Sequence, residues 1–399
     1  MSINLQKLLI ILALVMIPFY EIIIRIFPFA IAHVPETREP KLLLAMFFSL
    51  TIGLLAIFEG KILKFDNKWL LILTSYLMIS FFMSPKVELF LNGIDSSDFW
   101  FWKAFCNVIC MLLLVITIAS SFDKFDYALK IMVYVAVIMS IYVILQRIGF
   151  DQFYIQKSIN ELGSVTRPEV GGTLGNSTLV ASFLVFIIPI SIYLKKYISS
   201  FILFVSVLIT ESDMALAACF IMIILYLFYF KFISKSFTLL IFFILTILFC
   251  YNYLNVEKFR HFIDDKSNGR ISVWKDVIKD IKNGIINKQD FSITGLGLGR
   301  FPYVFPEQHN SIFRQAHNDF LEFIYNTGFI GLGLLVLSMW QIISVFSKES
   351  SFLIASLAIS FIVFIITALG SFSFQLGAHQ FYIALIVGLL SNNYLRRVQ

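Results

Sequence analysis

Long apolar runs alternate with short polar breaks along most of this chain. Runs fall near 7–27, 41–58, 69–83, 99–119, 127–147 and 176–194, then near 197–211, 213–230, 236–254, 319–346, 352–368 and 379–395. A helix needs roughly 20 largely apolar residues to cross the hydrocarbon core of a bilayer. The pattern therefore predicts an all-α, polytopic membrane protein of about twelve transmembrane helices, with residues 1–399 forming one membrane domain. The two halves show no internal repeat.

Two longer polar stretches interrupt the rhythm, at 148–175 and at 255–318. Within the second, Ile271, Trp274, Val277, Ile278 and Ile281 recur at helical spacing among lysines and aspartates. That pattern predicts a short amphipathic helix lying on the membrane or across the mouth of the bundle. The run GLGLGR at 295–300 lacks the strand-turn-helix setting of a nucleotide-binding fold and reads as a flexible turn rather than a phosphate loop.

Composition removes the soluble reading. Of 399 residues, 59% are apolar and only 14% charged, and the mean hydropathy is +0.86; that much apolar surface exceeds what one aqueous core can hide. The formal charge of +6 would suggest nucleic acid in a soluble protein. Here the cations are strung along the loops, so they speak for orientation in the membrane, with lipid and not nucleic acid as the partner. Cys106, Cys110, Cys219 and Cys250 lie in apolar runs and predict buried thiols, with neither a disulfide nor a metal site. Lys7 followed by an apolar run and Ala30-Ile31-Ala32 imitate a cleavable signal peptide, but the span count requires that the segment stay attached.

Cytoplasmic loops are enriched in Lys and Arg. One alternating set of breaks carries Lys7; Lys61, Lys64 and Lys68; Lys124; Lys195 and Lys196; Lys231 and Lys235; Lys348; and Arg396 and Arg397. The opposite set is rich in acids, among them Glu36, Glu39, Glu88, Asp95, Asp98, Glu211 and Asp213. Both termini are thus expected in the cytoplasm and the 255–318 loop outside. That loop holds ten Lys and Arg against seven acids, against the usual charge rule, which points to an anionic substrate.

Ionisable residues at span ends are functional candidates by default. His317 lies in AHNDFLEFIYNTGFIG, where the chain re-enters the membrane. Its imidazole either accepts a proton from an acceptor hydroxyl near neutral pH or anchors and caps at the interface. Arg270, at the start of the amphipathic helix, offers a planar fork for phosphate oxygens, or else pairs with Asp264, Asp265 or a lipid headgroup. Arg167, Arg300 and Arg314 are weaker substrate-binding candidates of the same kind, and His309 is a second histidine or a solvated loop residue. Asn318 either orients His317 or caps the helix beginning at Asp319; Glu322 is off the face of His317 and makes no dyad by spacing. Gly328, Gly331 and Gly333 suggest close helix packing.

The order of several pieces resembles the O-antigen ligase and O-antigen polymerase superfamily. They are IYVILQRIGFD (141–151), RPEVGGTLGNSTLVASFLVFIIPISIYL (167–194), LITESDMALAA (208–218), NGRISVWKDVIK (268–279), GLGLGRF (295–301) and AHNDFLEFIYNTGFIGLG (316–333). The resemblance covers roughly 140–340 and is most specific in the last piece. It implies a cofactor-free, metal-independent, inverting glycosyltransferase of the bacterial inner membrane. Such an enzyme moves a glycan from undecaprenyl diphosphate to an acceptor hydroxyl, a lipid A core sugar, on the periplasmic face. It also implies His317 as the base and Arg270 as the partner of the leaving diphosphate.

One position departs from that pattern. The family carries a second arginine after a serine at the outer start of the span that follows the TES turn, whereas this chain reads Glu211-Ser212-Asp213. Either Arg167, Arg300 or Arg314 supplies the second cation, the correspondence is displaced, or the chain is impaired. The acceptor stays open between a lipid A core sugar, a further carrier-linked repeat unit and a protein side chain. A transporter or flippase of polyisoprenoid-linked sugars is the alternative of another class. Internal repeats and mid-membrane ionisable residues would favour it, and the candidate residues cluster in an outer loop instead.

Overall fold

The structure, a computed structural model, describes residues 2–26, 38–59, 68–82, 99–121, 126–150, 170–230, 270–286, 291–309, 311, 313, 315–348, 351–371 and 373–392. Among them secondary structure is helical throughout. In chain order the helices are α1 (Ser2–Ile26), α2 (Arg38–Phe58), α3 (Lys68–Phe82), α4 (Phe99–Ser121), α5 (Asp126–Arg147), α6 (Ser177–Tyr193), α7 (Tyr197–Ile209) and α8 (Asp213–Tyr229). The series continues with α9 (Arg270–Ile286), α10 (Phe291–Thr294), α11 (Phe301–His309), α12 (Asp319–Lys348), α13 (Phe352–Ala368) and α14 (Gly377–Leu390).

Each predicted span except 236–254, which lies outside the described residues, falls on an apolar helix. Among the described residues, three helices are long and apolar enough to cross a membrane: Pro40–Phe58, Asp126–Arg147 and Asp319–Ser344. Others are short; α7 has 13 residues and α14 has 14, below the roughly 20 of a straight crossing. Length and apolar composition therefore support three crossings among the described residues.

Burial sorts the helices into an inside and an outside. In α6, α13 and α14 the buried residues run almost around the whole helix, which is what a helix apolar on every side requires. α13 packs on α6, α14 on α4, and α2 on both α1 and α4. Polar atoms inside this core find partners: the Tyr382 hydroxyl donates to Leu14 O at 2.7 Å, Lys41 Nζ donates to Thr173 O at 2.7 Å, and Ser182 Oγ meets His379 Nε2 at 2.8 Å. Facing outward, Phe58 is 85% exposed, Ile198 79% and Trp340 72%. Large apolar side chains in that density on a surface match a lipid environment.

Cys106, Cys110 and Cys219 are free thiols, Cys110 and Cys219 buried; Cys250 lies outside the described residues. The GGTLGN segment folds as a tight 3-10 turn, and Asn176 Oδ1 then caps α6 by accepting from Thr178 N and Leu179 N.

The 255–318 stretch, where described, builds a small core of its own. Val273, Val277 and Ile281 of α9, Phe301 and Phe305 of α11, Ala316, and Tyr325 of α12 form a second buried apolar cluster. This corrects the predicted face of α9. Ile278 is 50% exposed, and the buried stripe runs through Val273, Val277 and Ile281. The helix packs against α10 and α12 through that stripe, so its apolar face is taken up by protein.

Helix α12 also differs from the continuous span expected. Gly328 has φ 65° and ψ −169°, so the chain leaves helical geometry there and resumes it. The break exposes backbone carbonyls that would otherwise bond one turn on. Leu296 N donates to Tyr325 O at 3.2 Å, Gly297 N to Asn326 O at 2.9 Å, and the Tyr76 hydroxyl to Thr327 O at 2.7 Å. GLGLGR is thus a docked turn whose glycines seat one backbone on another: a Cβ on Gly295 would lie 2.3 Å from Asn326 O. Of the glycines expected to mediate helix packing, Gly331 faces Thr327 Oγ1 and Tyr76, whereas Gly333 faces open space.

Candidate active site

The site gathers where α9 begins, where the chain turns into α12, and where α13 passes into α14. Arg270 is the first residue of α9, and its Nη1 donates to Gly370 O, just past α13, at 3.4 Å. One turn further on, Trp274 Nε1 donates to Ala316 O at 2.7 Å. Ala316 immediately precedes His317, so one helical turn of α9 carries the arginine and grips the peptide next to the histidine.

The conformation of His317 is unusual for a residue with a side chain. Its φ is +51°, in the left-handed region that L residues other than Asn and Asp seldom enter. The ring is half-buried and meets Phe313 edge-on, with centroids 6.0 Å apart. On the far side Asn318 Oδ1 accepts from Phe320 N and Leu321 N, each at 3.1 Å, so it caps α12 as expected from its residue type.

Behind this turn lies a buried polar belt. Glu322 Oε2 accepts from Ala316 N at 3.0 Å and Oε1 accepts from Gln375 Nε2 at 2.7 Å. Gln375 Oε1 in turn accepts from Gln315 Nε2 at 2.9 Å. Asp319 N donates to Ser371 O at 3.2 Å, and Asp319 Oδ2 accepts from Phe374 N at 2.8 Å. Glu322 and Asp319 are each 6% exposed, and burial of a carboxylate is sustained by such donors and by the N-terminus of α12. Sequence reasoning set Glu322 aside on spacing, and the 371–375 segment, which has no motif, was missed. Only the buried acid in an apolar run could have signalled it.

The other candidates lie at graded distances from this centre. Asp213, the first residue of α8, is exposed, while its neighbour Met214 abuts Gly370 so closely that a Cβ there would lie 2.4 Å from Met214 Cγ. Asp213 therefore starts a helix whose next residue touches the glycine that accepts from Arg270. Two residues before Asp213, Glu211 meets a cation the sequence reading did not single out: Arg147 Nη2 donates to Glu211 Oε1 at 2.6 Å, with side chains 34% and 61% exposed.

Arg300 stands at the start of α11, half-buried, with Nη1 reaching Leu296 O at 3.5 Å. Burial lowers its guanidinium's hold on the proton, and Tyr325 opposes that shift. It belongs to the GLGLGR turn and its printed bond runs to that turn. Arg167 and Arg314 lie outside the described residues. His309 is neither solvated nor part of the centre: its Nε2 meets Asp280 Oδ2 at 2.7 Å, with side chains 21% and 20% exposed, and ties α11 to α9.

A guanidinium at the start of α9 and an imidazole on the turn that Trp274 ties to that helix are groups suited to anionic leaving groups and to proton transfer. The comparison with known families addresses the same segment. Residues 198–336 match the O-antigen ligase family. The similarity is confined to this segment, about a third of the chain. The match runs from α7 into α12 and takes in Asp213, Arg270, Arg300, Arg314 and His317, leaving Arg167 and the earlier resembling pieces outside it. The family it is similar to is one of glycan-transferring enzymes that act on lipid-linked glycans. No curated protein matches the chain.

Proposed function

We propose that this protein moves a glycan from undecaprenyl diphosphate to an acceptor hydroxyl, a lipid A core sugar, at the outer face of the bacterial inner membrane. The observation that carries this reading is the convergence of Arg270 and the His317 turn through Trp274, within the family-matched segment. The acceptor oxygen attacks the anomeric carbon while the bond from that carbon to the diphosphate oxygen breaks. His317 takes the acceptor's proton, and Arg270 faces the negative charge that develops on the departing diphosphate. Attack opposite the leaving group inverts the sugar carbon. No metal is needed in this scheme, since the guanidinium offers the charge that a cation would.

The proposal includes twelve spans in one membrane domain, both termini in the cytoplasm, and residues 255–318 as the periplasmic loop. The apolar helices at the predicted runs and the Lys/Arg bias of alternate breaks support it. Arg167, Arg300, Arg314 and Asp213 are proposed to line the substrate path. Polymerisation of carrier-linked units, or transfer to a protein, uses the same chemistry with another acceptor.

The test is transfer by purified protein from an undecaprenyl diphosphate-linked oligosaccharide to lipid A-core oligosaccharide, with chelator present. His317→Ala and Arg270→Ala are expected to lose turnover by about a hundredfold or more. Full activity in both variants would remove the mechanism, and activity only with added metal would remove its metal-free form.

A further inference from the structure

We infer that Gln375, together with Gln315 and Glu322, is a positioning residue that holds His317 in its reactive conformation. The inference rests on the proposed role of His317 and adds a residue from the α13–α14 connection that no motif marks. Both polar groups of Ala316 are fixed: its carbonyl accepts from Trp274 and its N–H donates to Glu322. Glu322 thus holds the peptide before Ala316 and Trp274 the one entering His317, so the turn that carries the left-handed φ of +51° is fastened on both sides of Ala316.

Glu322 alone would not set that geometry, because its carboxylate could swing about its own side chain. Gln375 removes the freedom by donating to the second oxygen at 2.7 Å. Gln375 is in turn oriented by Gln315 at 2.9 Å, and the Gln315 residue lies two positions before the histidine, closing the belt on the same turn. The backbone around Gln375 is tied down as well: Asp319 accepts from Phe374 N, and Gln380 Nε2 donates to Phe374 O. A loop between two core helices thus reaches the candidate base through a carboxylate.

The arrangement permits a decisive exchange of partners. Gln375→Glu sets a carboxylate against Glu322 and breaks the belt. Adding Glu322→Gln rebuilds each bond: the amide at 322 accepts from Ala316 N and donates to the carboxylate at 375, which still accepts from Gln315.

The experiment uses the full chain in detergent and reads two quantities. The first is kcat and donor KM for transfer from an undecaprenyl diphosphate-linked oligosaccharide. The second is hydrogen exchange of the peptide spanning Ala316. For Gln375→Glu the expected result is a kcat lower by about a hundredfold, the size of effect that a misplaced group produces, with donor KM unchanged and faster exchange. The double variant should recover both. Gln375→Met, which keeps length and loses the amide, gives the same reading if the added carboxylate prevents folding. Faster exchange with kcat unchanged overturns the positioning role, and so does a folded double variant that recovers neither. If the wild type transfers nothing, the glycan-transfer reading fails; exchange at Ala316 then decides the belt, and slow exchange in Gln375→Glu overturns it.

Discussion

Replacing Gly328 by alanine tests whether the break in α12 is a built feature of the fold. The backbone there, φ 65° with ψ −169°, lies in a region open in practice only to glycine, where other residues bear roughly 1–3 kcal/mol of strain. The space is closed too: a Cβ at 328 would lie 2.2 Å from Ile293 O and 2.6 Å from Gly295 N, both backbone atoms that cannot rotate away. To admit the methyl group, the GLGLGR turn must lift off. That breaks the bonds from Leu296 N to Tyr325 O, from Gly297 N to Asn326 O and from Phe301 N to the Asn326 side chain. At about 1 kcal/mol net each, undocking adds roughly 3 kcal/mol to the strain. Lifting the turn relieves the contact but leaves the strained φ, so the expected loss is about 4–6 kcal/mol, concentrated at 291–300 and 319–328. Gly333→Ala is the control, because a Cβ there meets nothing within 4 Å and alanine favours a helix by roughly 0.5–1 kcal/mol. Thermal unfolding in detergent should drop sharply for the first variant and hold or rise for the second, with faster hydrogen exchange across 291–300 in the first only. Equal stability of the two variants would refute the reading of Gly328 as a required break.

The remaining outcomes are shorter to state. Trp274→Phe keeps most of the apolar volume and deletes the donor to Ala316 O, so turnover should fall by at least tenfold while the chain stays folded; unchanged kcat would disconnect α9 from the His317 turn. Asp280→Ala leaves His309 without its partner and should cost about 1–3 kcal/mol in unfolding measurements of the outer segment, with no effect if the pair is incidental. Ser311→Cys should react with an impermeant maleimide from outside intact cells; labelling only after permeabilisation would reverse the proposed orientation. Asp213→Arg should raise turnover if the exposed acid repels the donor diphosphate, whereas loss of turnover would give Asp213 a role of its own.

Where a single periodicity dominates, the structure was legible in advance. The apolar runs located every described span helix because burial in lipid or core leaves a continuous signal, and Asn318 capped α12 as an Asn before an acid-rich first turn should. Legibility failed where two demands compete in one segment. The face of α9 was placed one residue off because Ile278, apolar but exposed, fits the same helical spacing as the buried stripe. The break at Gly328 was hidden because hydropathy continues unbroken through it, and only the packing of Gly295 against Asn326 requires it. The belt behind His317 was invisible for another reason. Gln375 and Gln315 are polar residues of no special spacing, and they meet Glu322 only once three distant segments have converged.

That convergence also bears on how the segment from α9 to α12 can be rigid while rooted in a bundle. Its own core is small, with seven buried side chains from Val273 to Tyr325. Such a cluster buries little area, and it gains precision from where its members are anchored. Tyr325 and Ala316 flank the first turns of α12, a helix that continues into the bundle, and Arg270 reaches Gly370 at the end of α13, which lies in the main core. A shift of α13 or α14 would therefore reach Arg270 through Gly370 and His317 through Gln375 at once. The guanidinium directly, and the imidazole through Glu322 and Ala316, are thus tied to the same connection between α13 and α14. In the proposed mechanism, that shared anchoring keeps the proposed base and leaving-group partner in line on opposite sides of the reacting carbon.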